Sequence, residues 1–227
     1  MLEGDSVLDD ERIWNVRDEK LHYQLPRYRS REEWLRRAEY LRRHIMACCG
    51  LWPLPEKTPL NPRIFGKIER SDYKVEKVYF ESYPGFFVTG NLYTPKNRSP
   101  PFPGVLCPHG HWKFGRLEDS DDCSVPGRCV NFAKQGYVVF SYDMVGYLDS
   151  FQIGHNFGSD ESDVLWGVNL TGLQLWNSIR SIDFLQSLDV VDPKRIGCTG
   201  ASGGGTQTIL LTAVDDRVSV AAPVCMV

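Results

Sequence analysis

Apolar side chains recur three or four positions apart after Ser30, and this period predicts an amphipathic helix with arginines on its opposite face. The recurring positions are Trp34, Ala38, Leu41 and Ile45. Ser30 and Glu33 form a capping box at the start of this helix, and Gly50 can end it. Four prolines then follow within ten residues and predict an extended connector. We therefore expect an N-terminal helical extension with its connector over residues 1–62, followed by a second domain over residues 63–227.

A different pattern begins after the connector, where strands are separated by helices. Apolar and polar residues alternate over 73–81 and 86–93 around a Pro-Gly turn, which predicts a β-hairpin. Further short apolar runs predict buried strands at 104–107, 137–142, 195–199 and 218–224. Helices are predicted at 130–134, at 203–214, and in a long segment that Asp163 can cap, with an apolar stripe from Leu165 to Leu185. Strands separated by helices after a hairpin indicate an α/β layered sheet that is parallel in its main part.

The strongest chemical motif is Gly200-Ala201-Ser202-Gly203-Gly204, a G-x-S-x-G pattern. A strand is predicted before it and a helix after it, so Ser202 occupies a tight turn in which a Cβ at the flanking glycines would collide. The turn lifts the hydroxyl to a helix N-terminus that favours developing negative charge, which predicts Ser202 as a catalytic nucleophile. A glycine-rich phosphate turn is the alternative, but the P-loop lysine is missing and the G-x-G-x-x-G spacing fails at Thr208.

A second loop, Pro108-His109-Gly110-His111-Trp112, follows the strand that ends at Cys107. In hydrolases of this plan such a loop supplies one backbone N–H of an oxyanion hole, and the residue after the nucleophile, Gly203, supplies the other. We expect the loop donor to be His111, with Gly110 as the alternative. A zinc pair of His109 and His111 is the competing interpretation, but no third ligand follows at a suitable spacing, so no metal site is predicted.

These motifs resemble the α/β-hydrolase superfamily, and more closely its acetyl xylan esterase-like branch, which is related to the dienelactone hydrolases. The segments that carry the resemblance are 75–78, 90–95, 107–111, 192–197 and 199–207. The resemblance implies a three-layer sandwich and a serine esterase that acts on acyl esters of carbohydrates, such as acetylated xylan, without a cofactor. Two alternatives stay open: a serine peptidase of the prolyl-oligopeptidase type, although nothing upstream resembles a β-propeller, and a non-catalytic carbohydrate-binding or scaffold protein.

The histidines depart from the superfamily pattern, in which the triad follows the chain order Ser, acid, His. All five precede Ser202: His22, His44, His109, His111 and His155. Asp215 and Asp216 follow the serine, but they are expected to close the helix after it. We therefore expect an N-terminal portion of a longer protein, truncated after the strand that follows the nucleophile helix, with the triad acid and histidine beyond this chain.

The loop after the second buried strand is predicted to line the pocket, together with the loop after the first. The expected lining residues are His109, Trp112, Tyr147 and His155, and Asp143 is a further candidate for substrate contact. A surface position is the alternative for His155. A role of His155 as the base would break the superfamily's chain order.

Composition and charge further limit the class of protein to which this chain can belong. A net charge of −3 argues against a nucleic-acid binder, and no apolar run reaches the length of a membrane span. The opening residues lack the features of a secretory signal, which predicts a cytoplasmic protein unless the N-terminus is incomplete. The expected partner is a small-molecule or carbohydrate ester. The seven cysteines show no disulfide-framework spacing and are expected to be mostly reduced, with Cys107, Cys198 and Cys225 in buried strands.

Overall fold

A mixed β-sheet with helices on both faces forms the body of the protein. The computed structural model describes residues 26–160, 165 and 167–225. The strands are β1 (Arg63–Glu69), β2 (Tyr73–Tyr83), β3 (Phe86–Pro95), β4 (Phe102–Leu106), β5 (Val138–Tyr142), β6 (Val191–Ala201) and β7 (Val218–Val224). The helices are α1 (Arg31–Cys48), α2 (Val125–Gln135), α3 (Leu170–Gln186) and α4 (Gly203–Val214), with a short 3₁₀ turn at Gly115–Leu117.

The strand order in the sheet is β1-β2-β3-β5-β4-β6-β7. Pairing is antiparallel from β1 through β2 and β3 to β5, and parallel from β5 through β4 and β6 to β7. The predicted hairpin is confirmed as β2 and β3, and the four further predicted strands are confirmed as β4 to β7. The expected burial is wrong for β7, in which only Val218 is buried. Strand β1 was not predicted, because all seven of its residues are exposed and no buried face imposes an alternating pattern.

The helix ends agree only partly with the predictions. The Ser30 side chain accepts the N–H of Glu33 at 3.2 Å, which confirms the capping box, and Gly50 follows α1 with a φ of 67°. Helix α3 begins at Leu170, where the Asn169 side chain accepts the Gly172 N–H at 2.8 Å. Asp163, the predicted cap, lies outside the described residues, and the long helix starts later than predicted because Asn169 caps it.

Two hydrophobic clusters show that the sheet is the middle of three layers. The first joins Phe80 and Phe140 of the sheet to Phe184 of α3, and it also includes Leu211 of α4. The second joins Val139 and its neighbours in the sheet to α2. Val139 and Phe140 are consecutive and therefore point to opposite faces. The three-layer α/β sandwich is thus confirmed.

Backbone contacts divide the chain into a unit that ends at Ala38 and a unit from Glu39 to Val227. In the second unit, Met46, Cys49 and Leu51 are buried in the same cluster as the sheet residues. The division predicted at residue 62 stays a prediction. Within the described residues, no helix has both the length and the apolar character needed to cross a membrane.

The cysteines are free thiols, as expected. Cys107 and Cys198 are buried, in agreement with the prediction. The prediction for Cys225 is wrong, because this residue follows the end of β7 and is exposed, with a φ of 65°.

Candidate active site

Ser202 lies in the turn between β6 and α4, as the G-x-S-x-G motif predicts. Its φ of 56° and ψ of −123° are a backbone conformation that non-glycine residues rarely adopt. The Ser202 N–H donates to the Val224 carbonyl at 3.1 Å, and the Ser202 carbonyl accepts the N–H of Thr206 at 3.0 Å. The adjacent strand and the first turn of the helix therefore hold the strained residue in place.

The flanking glycines let this turn pack directly against the loop after β4. A Cβ at Gly204 would lie 2.3 Å from the Pro108 carbonyl oxygen, and a Cβ at Gly200 would lie 2.5 Å from the same atom. Backbone atoms cannot come this close to a side-chain carbon. The steric reason given for the glycines is thus confirmed, and the two predicted motifs meet in space.

The residues predicted for the oxyanion hole lie together beside Ser202. Gly203 is the first residue of α4, where backbone N–H groups have no partner within the helix. A Cβ at Gly203 would lie 2.6 Å from His111 Cε1 and 2.8 Å from His111 Nδ1, so the edge of that ring covers Gly203. A Cβ at Gly110 would lie 2.8 Å from the carbonyl oxygen of Ala201. Both candidate donors of the loop are therefore next to the turn.

His109 is fully buried beneath this loop, and both of its ring nitrogens are used. Its Nδ1 lies 2.7 Å from the Gly110 carbonyl oxygen, and its Nε2 accepts the N–H of Met144 at 3.0 Å. Burial lowers the pKa of His109 to about 4, so the ring is neutral at neutral pH. His109 joins the loop after β4 to the loop after β5, and it has no surface to offer a ligand.

We expect the free energy of unfolding to fall between pH 6.5 and pH 4 because of His109. In the unfolded chain this histidine has its ordinary pKa of 6.5, so below that pH the unfolded state binds a proton that the folded state excludes. A pKa difference of this size corresponds to a loss of at most about 3 kcal/mol. Denaturant titrations at several pH values measure this loss in the free energy of unfolding. His109→Asn should flatten the dependence, and an unchanged slope in that variant would assign the loss to other groups.

An ion-pair network lies under the same two loops. Arg116 pairs with Asp143 and, at 2.6 Å, with Asp149, and the Thr89 hydroxyl donates to Asp143 at 2.7 Å. Asp143 is 1% exposed, so it supports the loops and is not a candidate for substrate contact. Burial raises the pKa of Asp143, and the charge of Arg116 opposes that rise. The sequence carries no signal for this network, because Arg116 and Asp143 are 27 positions apart and belong to different loops.

His111, Tyr147 and His155 form a cluster on the exposed side of the turn. His111 Nε2 lies 3.1 Å from His155 Nε2, and His155 Nδ1 lies 2.7 Å from the Val145 carbonyl oxygen. The Tyr147 ring packs edge-on against His155, with centroids 4.9 Å apart. Trp112 is half-buried and lies beside Gly110. The predicted lining residues Trp112, Tyr147 and His155 thus lie on the loops that surround the serine turn.

Within the described residues, no side chain is bonded to the Ser202 hydroxyl as a base would be. None of the described residues forms a hydrogen bond with Ser202 Oγ. His44 lies on α1, where it contacts Cys48 at 3.7 Å, and His22 lies outside the described residues. In the described part of the chain, no group of three or more His, Cys, Asp or Glu residues is placed to hold a metal ion.

The strand order, the strained serine turn and the adjoining loop together define an α/β-hydrolase fold. The chain belongs to the acetyl xylan esterase (AXE1) family, whose model matches residues 57–226. This finding confirms the resemblance to the acetyl xylan esterase-like branch that the motifs indicate.

Individual relatives point to the same class. YtaP of Bacillus subtilis (strain 168), assigned as a hydrolase, is 29% identical over 191 residues, which cover 77% of this chain and 60% of YtaP. The structure of methylesterase BT1017 matches with a TM-score of 0.74 and 30% identity over 86% of this chain and 42% of that one. A protein of Bacteroides fragilis NCTC 9343 (BF1801), assigned as an acetyl xylan esterase, shares the fold with a TM-score of 0.72 and 19% identity, over 87% of this chain and 55% of its own. This chain therefore spans about half the length of these relatives.

Proposed function

We propose that the protein is a serine esterase that removes acetyl groups from carbohydrate esters such as acetylated xylan. The observation that carries this proposal is the conformation of Ser202, held in a strained turn at the N-terminus of α4 and packed against the loop after β4. Strain of this kind is kept where a function requires it. Membership of the acetyl xylan esterase family supports the substrate class.

In the proposed reaction, Ser202 Oγ attacks the ester carbonyl carbon and forms a tetrahedral intermediate. The negative charge on the former carbonyl oxygen is stabilised by the N–H of Gly203 and by an N–H of His111 or Gly110. Collapse of the intermediate breaks the bond to the alcohol and leaves the acyl group on Ser202 Oγ. Water then attacks this acyl-enzyme and releases the acid. No cofactor takes part in these steps.

The base that accepts the Ser202 proton is proposed to lie outside residues 1–227. His109 is held by two hydrogen bonds to the backbone, and His111 and His155 bond to each other. None of these rings has a hydrogen bond to Ser202 Oγ, which a general base requires. A histidine and an acid from another segment would complete the triad.

Acetate release from acetylated xylan by the complete protein tests this function. Release without added metal or cofactor is the expected outcome. Cleavage of prolyl peptides in place of esters would favour the peptidase alternative. Binding of the polysaccharide without any release of acetate would favour a non-catalytic carbohydrate-binding protein.

Short acyl groups should be preferred over long ones. Membership of the acetyl xylan esterase family carries this expectation, since the named substrate of that family has a two-carbon acyl group. We expect kcat/KM to be about tenfold or more higher for an acetyl than for an octanoyl ester with the same leaving group. A series of acetyl, butyryl and octanoyl esters measures this preference, and an optimum at octanoyl would contradict it.

A further inference from the structure

The hydrogen bonds of His155 and His111 determine which nitrogen of each ring carries a proton. His155 Nδ1 faces the Val145 carbonyl oxygen at 2.7 Å, and a carbonyl only accepts, so this nitrogen is protonated. In the neutral ring, Nε2 of His155 is then an acceptor. His111 Nε2, 3.1 Å away, must be its donor. The second nitrogen of neutral His111, Nδ1, is therefore left with a free lone pair.

This lone pair lies beside the residue that follows the proposed nucleophile. His111 Nδ1 is 2.8 Å from the position of a Cβ on Gly203, and the His111 side chain is exposed. None of the described residues donates a hydrogen bond to Nδ1. Partial burial, followed by the charge of His155, lowers the pKa of His111, which favours the neutral ring at neutral pH.

The surroundings hold the His111 ring in this orientation. His155 fixes one edge by its hydrogen bond, and Tyr147 packs edge-on against both rings, at 6.2 Å from His111 and 4.9 Å from His155. His155 is itself anchored to the backbone at Val145. A hydrogen-bond acceptor that is oriented before a ligand binds loses less conformational entropy when it does.

We propose that His111 Nδ1 accepts a hydrogen bond from a hydroxyl group that neighbours the scissile ester, with His155 as the residue that positions it. This proposal rests on the proposed function and deepens it, since it names the substrate feature that the site recognises. An ester carbonyl bound over the Gly203 N–H lies within reach of the adjoining ring. Carbohydrate esters carry hydroxyl groups on neighbouring carbons, whereas simple alkyl esters do not.

Two matched pairs of small esters test this proposal with the complete protein. The pair 2-hydroxyethyl acetate and 2-methoxyethyl acetate places the hydroxyl in the alcohol half, and the pair methyl glycolate and methyl methoxyacetate places it in the acyl half. The ratio of kcat/KM within each pair is measured for the wild type, for His111→Phe and for His111→Asn. Phenylalanine keeps a flat ring without an acceptor, whereas asparagine places an oxygen close to the position of Nδ1.

We expect His111→Phe to lower the preference for the hydroxyl ester about 3- to 10-fold in the 2-hydroxyethyl pair, because the hydroxyl groups of an acetylated carbohydrate lie in its alcohol half. The methyl glycolate pair is the control, and its ratio should not change. His111→Asn should keep most of the preference. Because each ratio compares two esters on one variant, a general loss of activity cancels. An unchanged ratio in the 2-hydroxyethyl pair for His111→Phe would overturn the proposal, and so would an equal loss in His111→Asn.

His155→Phe provides a second, independent test. Without its partner, His111 can place its proton on either nitrogen, so the preference should fall, but less than in His111→Phe. An unchanged preference would contradict the positioning role. Failure of the proposed function would give a different result, because the wild type would then hydrolyse none of the four esters. That result would contradict the present proposal as well.

Discussion

Replacing Ser202 by alanine should lower kcat for ester hydrolysis by about 10⁴-fold or more, because no other group replaces the attacking oxygen. Alanine keeps the Cβ, so the strained turn with its φ of 56° is retained and the fold should not change. The measurement is kcat on an activated acetyl ester with the complete protein, beside the melting temperature of the variant. If the variant melts at the same temperature as the wild type, the loss of kcat comes from the missing nucleophile and not from unfolding.

Ser219→Ala is a suitable control for this experiment. The Ser219 hydroxyl donates at 2.9 Å to the carbonyl of Ile196, which lies in the middle of β6 and not in the serine turn. This variant should keep nearly the activity of the wild type. Turnover within tenfold of wild type in Ser202→Ala would remove Ser202 from the mechanism.

Residues 1–227 expressed by themselves should show little or no turnover of the same ester. With the base outside these residues, as proposed, Ser202 would be an ordinary alcohol whose proton has no acceptor in the transition state. The backbone N–H groups alone leave about 10³- to 10⁴-fold catalysis over water in sites that lack the triad but are otherwise intact. The complete protein should exceed this residual rate by several orders of magnitude.

The exposed strand β7 should lower even that residual activity. In the described residues β7 pairs only with β6, and Val220 and Val224 are 67% and 44% exposed. An unpaired apolar strand is a template for aggregation, so a low yield of soluble residues 1–227 is expected as well. Light scattering of the purified polypeptide measures this tendency.

The decisive comparison assays residues 1–227 beside the complete protein, with an activated acetyl ester and a serine-reactive phosphonate. Weak labelling and negligible turnover by the shorter polypeptide are expected. Robust turnover with stoichiometric labelling of Ser202 would show that a base lies within this chain. His155 and His111 would then be the first residues to replace.

The sequence predicted the parts of this protein whose structure depends on neighbours along the chain. The strands β4 and β5 and the second half of β6 are largely buried and therefore consist of apolar runs, and α4 was predicted with the same bounds that the structure has. The serine turn was predicted because its steric demands fall on glycines within two positions of Ser202. Strand β1 lacked such a signal because neither of its faces is buried.

The helix start at Leu170 shows where local signals become ambiguous. Asp163 and Asn169 are both good N-cap residues, and the sequence offers no reason to prefer one. In the structure Asn169 caps α3, and its side-chain amide also donates to the Cys48 carbonyl at 2.8 Å. This second contact joins positions 121 residues apart, so no local sequence pattern predicts it.

By itself, the sequence determined the succession of strands β2 to β7 with their helices, the serine turn and the loop that faces it, because each depends on residues a few positions apart. Only the tertiary structure decided that His109 is buried, that Arg116 pairs with Asp143, and that His111 meets His155. These contacts join loops from two strands that are neighbours in the sheet. Protonation states and hydrogen-bond partners depend on such distances in space, and no periodic pattern along a chain records them.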